Sequence, residues 1–362
     1  MQNLSSKFKL NIFILAFLAI FVFNGCSKTA SSNVPPSTIT QTTAKITTVF
    51  SGFDNPNYIS VDGLGNLFVT ESGDSSIICQ IDTKGVTTTF AGNDKYGLAD
   101  GIGRASSFSA PNGIVIDPSG IIYVVDTGNG LVRKISPGAD VSTFVGGNVD
   151  QSHGFADNGV GKLASFYGPI GITEDNTGNL YVSDTQNNLV RKITSDGTVS
   201  TFAGKYGSYG SADGTGTSAI FWGPTGLAAD AHGNIYVADN GRMIRKITPD
   251  GIVTTFAGNN NVGIKDGKGI AASFNNPNGL VFDSLGNLFV ADTGNGSIRK
   301  VTPAGDVSTY LARSTFSYPT GLAIDKSDNL YIVDSYDSKV YKVSKAVNSS
   351  TNHYNLNFQA QM

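Results

Sequence analysis

Charge is sparse in this chain of 362 residues: Asp, Glu, Lys and Arg together make 15%, and the net charge is −3. A protein that grips nucleic-acid phosphates over a basic face is excluded on that balance. There are two Cys, too few for a disulfide framework. The three His are scattered and none pairs with a Cys, so the common zinc spacings are missing. No 3.6-residue apolar period runs through the body of the chain, and nothing after residue 25 is long and apolar enough to span a bilayer. What is abundant is Gly, 44 residues, which favours turns over long helices.

The chain opens with Lys7 and Lys9, followed by an apolar run from Leu10 to Phe23 interrupted only by Asn11. That run is 14 residues, short of the roughly 20 a spanning helix needs. It reads as the apolar core of a secretory signal over residues 1–25. Phe23-Asn24-Gly25-Cys26 closes it and resembles the lipobox of bacterial lipoproteins, which implies acylation of Cys26. Phe23 and Asn24 are loose matches; the alternative is a plain signal peptide with Cys26 incidental. Several acyl chains would anchor the protein stably, at about 0.8 kcal/mol per buried CH₂. Loss of residues 1–25 leaves 23 basic against 28 acidic residues, net −5. Residues 26–44, rich in Ser, Thr and Pro, read as a flexible tether. No acidic run follows Cys26, which favours the periplasmic side of an outer membrane over surface export.

The remainder is one phrase written six times. It aligns on Phe-x-x-Pro at Pro56, Pro111, Pro169, Pro224, Pro277 and Pro319, with spacings of 55, 58, 55, 53 and 42. In the fifth copy, short apolar runs at Gly279–Asp283, Leu288–Ala291, Ser297–Thr302 and Val307–Tyr310 alternate with Gly/Asn/Asp turns. Four short strands in a meander cannot bury both faces alone, so copies must stack as blades around an axis. Rings in register on the second strand (Phe68, Tyr123, Tyr181, Tyr236, Phe289, Tyr331) and the fourth (Phe50, Phe90, Phe144, Phe202, Phe256, Tyr310) read as packing between blades. The sixth copy lacks a fourth strand, and Lys45–Phe50 matches the missing one. The expectation is an all-β, six-bladed β-propeller of 24 strands over residues 45–344, its last blade closed 3+1 by the N-terminal strand. Residues 345–362 form a polar tail.

The combination of P-x-G-hydrophobic, G-N-L-Y-V-x-D-T-x-N and R-K-I-T resembles the NHL repeat, whose domains are six-bladed β-propellers and mostly interaction modules. Tyr58 in place of Gly, Cys79-Gln80 and Tyr341-Lys342 in place of Arg-Lys are departures in the terminal copies.

Four long links between blades, 93–107, 148–165, 205–220 and 259–273, are expected to wall one face, with a gap at the short fifth link. Each long link repeats an acidic turn, at Asp100, Asp157, Asp213 and Asp266. These are the candidate calcium ligands, although one carboxylate per link is thin for an ion that takes six to eight oxygens; the other reading is an Asp serving its own turn, and no cofactor is expected. A second acidic ring, Glu71, Asp126, Asp184, Asp239, Asp292 and Asp334, ends the second strands; pairing with Arg133, Arg191, Arg245 and Arg299 is the preferred account. Just before the Pro, four copies carry Asp54, Ser109, Asn275 and Ser317, whereas copies three and four carry Tyr167 and Trp222, each followed by Gly. Tyr167 and Trp222, bordered by Tyr206, Tyr209 and Tyr318, are the candidate binding platform for a sugar or an apolar peptide side chain; loop packing is the alternative. The catalytic constellations fail: His153, His232 and His353 cannot converge as the zinc ligands of amidating lyase propellers do, and Glu174 lacks the partners of a lactonase metal site. The expected function is a lipid-anchored, non-catalytic envelope module binding a protein, peptide or glycan. The alternative is a lactonase-like, metal-dependent hydrolase or lyase with its site in the central channel.

Overall fold

The Gly, Asn and Asp residues between apolar runs fold each phrase into a meander. In the fifth blade the strands are Pro277–Phe282, Leu288–Asp292, Ser297–Val301 and Asp306–Leu311. Its first turn shows why: Asp283 Oδ1 accepts the amides of Leu285 and Asn287 at 3.0 and 2.8 Å, and Gly286 takes φ +77°. The same Asp-closed turn recurs at Asp62, Asp117, Asp175, Asp230 and Asp325. The computed structural model describes residues 45–147, 160–240 and 242–344. Among them no helix is long and apolar enough to cross a membrane.

Six antiparallel sheets form, one per blade. The ring closes as expected: Lys45–Ser51 pairs antiparallel with Lys339–Ser344, in a register running from Lys45 opposite Ser344 to Ser51 opposite Lys339. The strand count needs correction. Gly101–Ile102, Gly214–Thr215 and Gly267–Lys268, all from the long links, add a fifth strand to the outer edge of blades two, four and five. Each link therefore crosses to the far rim of the blade it precedes before its chain turns inward to the axis.

Hydrophobic clusters lie between blades. One joins Tyr58, Phe68, Ile78 and Ala91 of blade one to Phe108, Ile114, Ile122, Val124, Ile135 and Val141 of blade two. Within each of blades one to five, the fourth-strand ring meets the second-strand ring, as for Phe68 with Phe90 at 5.1 Å and Tyr236 with Phe256 at 5.0 Å. Polar ties join neighbours as well. The hydroxyls of Thr127, Thr185 and Thr293 each donate at 2.7 Å to the Pro carbonyl opening the next blade, and Thr320 donates to Asn57 across the closure.

At the axis the first strands of blades two to six approach closely at a Gly. A Cβ on Gly226 would sit 2.1 Å from the Asn278 carbonyl oxygen, and one on Gly279 2.1 Å from that of Thr320. These contacts are backbone against backbone, so nothing flexible can yield.

Candidate functional site

Each second strand ends beside the start of the first strand, and its terminal carboxylate fixes the residue two before the Pro. The amides of Ser109, Tyr167, Trp222, Asn275 and Ser317 donate at 2.7 Å to Asp126, Asp184, Asp239, Asp292 and Asp334. Asp54 is held by Glu71 in the same way. The same amide–carboxylate bond thus recurs in six places, and only blades three and four place an aromatic there.

The second carboxylate oxygen faces an arginine. Arg133, Arg191, Arg245 and Arg299 are fully buried and pair at 3.0 Å with Asp126, Asp184, Asp239 and Asp292. Each guanidinium also lies over the Phe before the Pro, at 5.1 to 5.4 Å from Phe108, Phe166, Phe221 and Phe274. Burial pushes Asp126 up to about 6 against the opposing pull of Asn129, the Ser109 amide and Arg133. Four of the six members of the acidic ring are therefore structural ion pairs, as the Asp–Arg reading expects, while Glu71 and Asp334 serve blades without an arginine.

The link carboxylates serve the same arginines. Asp100, Asp213 and Asp266 accept from Arg133, Arg245 and Arg299 at 2.7, 2.7 and 2.6 Å, and from Thr143, Thr255 and Thr309. Burial opposes it, but these bonds hold Asp213 and Asp266 below the usual carboxylate range. Each Asp clamps its link to the next blade rather than closing its own turn, which corrects that reading. Asp157 lies outside the described residues, as do Cys26, the tether, the C-terminal tail, His153 and His353. Among the described residues no three His, Cys, Asp or Glu side chains are grouped to hold a metal ion.

The clamp has a sequence signature that the reading above overlooked. Arg occupies the third strand in blades two to five, which follow long links, and is absent from blades one and six, which follow short ones. In blade one the position is Cys79, buried, whose thiol donates to Glu71 at 2.6 Å; burial and Glu71 push that thiol well above its ordinary range. In blade six it is Tyr341, which packs on Phe316 at 5.3 Å.

The candidate aromatic platform lies on this linked face. Trp222 is 52% exposed and Tyr209 75% exposed, with ring centroids 6.0 Å apart at 61°. Tyr206 and Tyr318 are about half exposed, while Tyr167 is partly buried. The Gly168 position does not leave open room: the Gln186 side chain fills it, 2.6 Å from where a Cβ would sit. At Gly223 the nearest atom stands 3.7 Å away, so space remains beside Trp222.

Tyr58 has a larger role than a terminal-copy irregularity. Where the other blades place Gly at the axis, Tyr58 is buried, its amide bonds Thr70 at 3.0 Å, and its hydroxyl donates to Asn278 of blade five. Burial raises its phenol well above the ordinary range. The side chain reaches past blade six into a channel of about 290 Å³ lined by the first strands of all six blades. That lining offers hydroxyls from Tyr58, Ser60 and Thr173 but no carboxylate, imidazole or thiol. Its donor set does not fit a catalytic metal.

The NHL repeat family matches residues 108–135, 221–243 and 274–301. Among curated proteins, the chain is 29% identical over 290 residues to NHL repeat-containing protein 2 of Bos taurus, covering 71% of this chain and 40% of that one. It is 25% identical over 267 residues to Protein SUPPRESSOR OF QUENCHING 1, chloroplastic, of Arabidopsis thaliana, covering 69% and 25%. The chain thus spans less than half the length of either relative. Among solved structures, an auxiliary nutrient binding protein from Bacteroides thetaiotaomicron superposes with a TM-score of 0.62 at 14% identity, over 84% of this chain and 78% of that one. A gluconolactonase from Xanthomonas campestris gives 0.60 at 13%, over 83% and 89%.

Proposed function

Since the chain is a six-bladed β-propeller built from NHL repeats, we propose that it is a non-catalytic binding module of the bacterial cell envelope, anchored by a lipid on Cys26 at the periplasmic side of the outer membrane. It takes a protein, peptide or glycan on the face that carries the long links, with Trp222 and Tyr167 as anchors and Tyr206, Tyr209 and Tyr318 around them. One observation carries this reading. The position two before the Pro has its amide held by a carboxylate in all six blades, yet adjacent blades three and four alone present rings there. A half-exposed Trp with a Tyr at its edge offers a large rigid surface at little entropic cost. The description of the Bacteroides proteins of this architecture as nutrient binding is compatible with it.

The test is a glycan and peptide array probed with the wild type, Trp222→Ala and Tyr167→Ala. The expected result is at least a tenfold loss of affinity in both variants, about 1.4 kcal/mol. A ligand bound equally well by both variants would remove the site. Metal analysis of the same preparation addresses the hydrolase or lyase alternative, for which a stoichiometric, tightly held ion is required.

A further inference from the structure

Two breaks in the sixfold pattern meet at the other mouth of the channel, on the face away from Trp222. There the ends of the first strands and the turns after them enclose a pocket of about 950 Å³. It opens into the channel, since Val61, Val115, Thr173 and Ile324 line both.

The first break is in blade three. The residue that ends the first strand is Val61, Ile116, Ala229, Phe282 or Ile324 in the other five blades, and Glu174 here. Burial raises the Glu174 carboxyl, and Asp117 and Asp175 raise it further. The second break is in blade two. In five blades an Asn amide fills the second oxygen of the turn Asp: Asn66, Asn179, Asn234, Asn287 and Asn329. Blade two has Ile121 instead, so Asp117 keeps the backbone bonds that close the turn but lacks that amide. Both Asp117 and Glu174 line the pocket, where Asp117 raises the Glu174 carboxyl and both raise the Tyr123 phenol.

Neither change serves the fold. The blade-two turn closes without its Asn, and a carboxyl at the channel mouth replaces apolar packing with a desolvated charge. Around this acidic corner stand the apolar side chains of Val61, Ile116, Pro118, Pro137, Phe90 and Ile324, while Asp62, Asn66 and Gln80 add polar groups on the blade-one side. Lys326 is the single basic residue of the lining, and its ammonium donates to the Gly63 carbonyl at 3.0 Å on the blade-six side.

We propose that this pocket binds a small organic cation, an apolar body carrying a protonated amine, with the ammonium at Glu174 and Asp117 and the body against Val61, Ile116 and Ile324. The site is independent of the platform on the opposite face. Its acids select the charge, and the apolar walls supply the contact area.

The probes are 2-phenylethylamine and its neutral isostere 2-phenylethanol, titrated into the purified protein and followed by ligand-observed NMR. The amine is expected to bind saturably and at least tenfold more tightly than the alcohol. Glu174→Gln should weaken the amine at least tenfold and leave the alcohol unchanged, and Asp117→Asn should act in the same direction. Ile324→Trp, which fills the pocket, should abolish both, while Trp222→Ala should change neither. The proposal is overturned by any of three results: no saturable amine binding in the millimolar range, equal binding of amine and alcohol, or a Glu174→Gln variant, folded by its melting curve, that keeps the amine affinity.

Discussion

Arg299 holds two carboxylates in different surroundings, and their removal should cost very different amounts. Asp292 is fully buried like the guanidinium, 3.0 Å away, and also accepts the Asn275 amide at 2.7 Å and Asn295 at 2.8 Å. Burial raises the Asp292 carboxyl despite the arginine, so the pair itself is no great source of stability. Truncating one partner is another matter. Asp292→Ala leaves a buried cation with a half-exposed carboxylate and the Ser273 and Lys265 carbonyls as partners and strands two donors, a loss of about 3–5 kcal/mol. Asp266 sits 2.6 Å from the other side of the guanidinium but is 52% exposed. Asp266→Ala lets water replace it and should cost about 0.5–1 kcal/mol. With an unfolding entropy of about 2.1 cal/mol/K per residue over about 300 residues, each kcal/mol moves Tm by about 1.5 °C. Circular dichroism melts should therefore fall by about 5–8 °C for Asp292→Ala and about 1 °C for Asp266→Ala. Equal losses, or a larger loss for Asp266→Ala, would refute the view that the arginine belongs first to its blade and only secondarily to the link.

Two further outcomes are expected. Gly226→Ala forces a methyl to within 2.1 Å of the Asn278 carbonyl, and overpacking of this kind costs about 1–3 kcal/mol; Gly63→Ala, whose nearest neighbour is the Lys326 ammonium at 3.6 Å, should shift the urea midpoint by little. In acid, Asp175 is the group to follow: burial works against it, but Asn179, Thr177 and their amides hold it down to about 2. The unfolded chain takes up that proton first, so this stability is present above about pH 4 and is lost as pH falls through about 2. Asp175→Asn should flatten the fall in unfolding free energy between those values, and an unchanged slope would count against the assignment.

The blades and their closure were readable because a period of about 55 residues repeats both the apolar runs and the turn residues between them. The Asp–Arg pairs were readable for the same reason, as two opposite charges recurring at fixed offsets. The fifth strands were not, since pairs such as Gly101–Ile102 are too short to show alternation. Tyr58 was set aside as an irregular end copy, because a linear chain does not reveal that the glycines it replaces converge on one axis. The pocket beside Glu174 escaped for a related reason. Added residues make the links conspicuous in the sequence, whereas this pocket arises from single substitutions in segments of unchanged length. The exposed ring of Trp222 was legible as a break in a column of small polar residues, though not the filling of the Gly168 position by Gln186.

The seam of the ring has a consequence for chain connectivity. Because Lys45 stands directly across from Ser344, a tight reverse turn would bridge them, and the chain could be recut at the short stretch Ala312–Thr315 instead. Such a circular permutant would hold every sheet as one unbroken segment, leaving only face-to-face contacts and the threonine ties to keep blades five and six together. Its melting temperature relative to the parent would isolate how much stability comes from sewing the two chain ends into a common sheet.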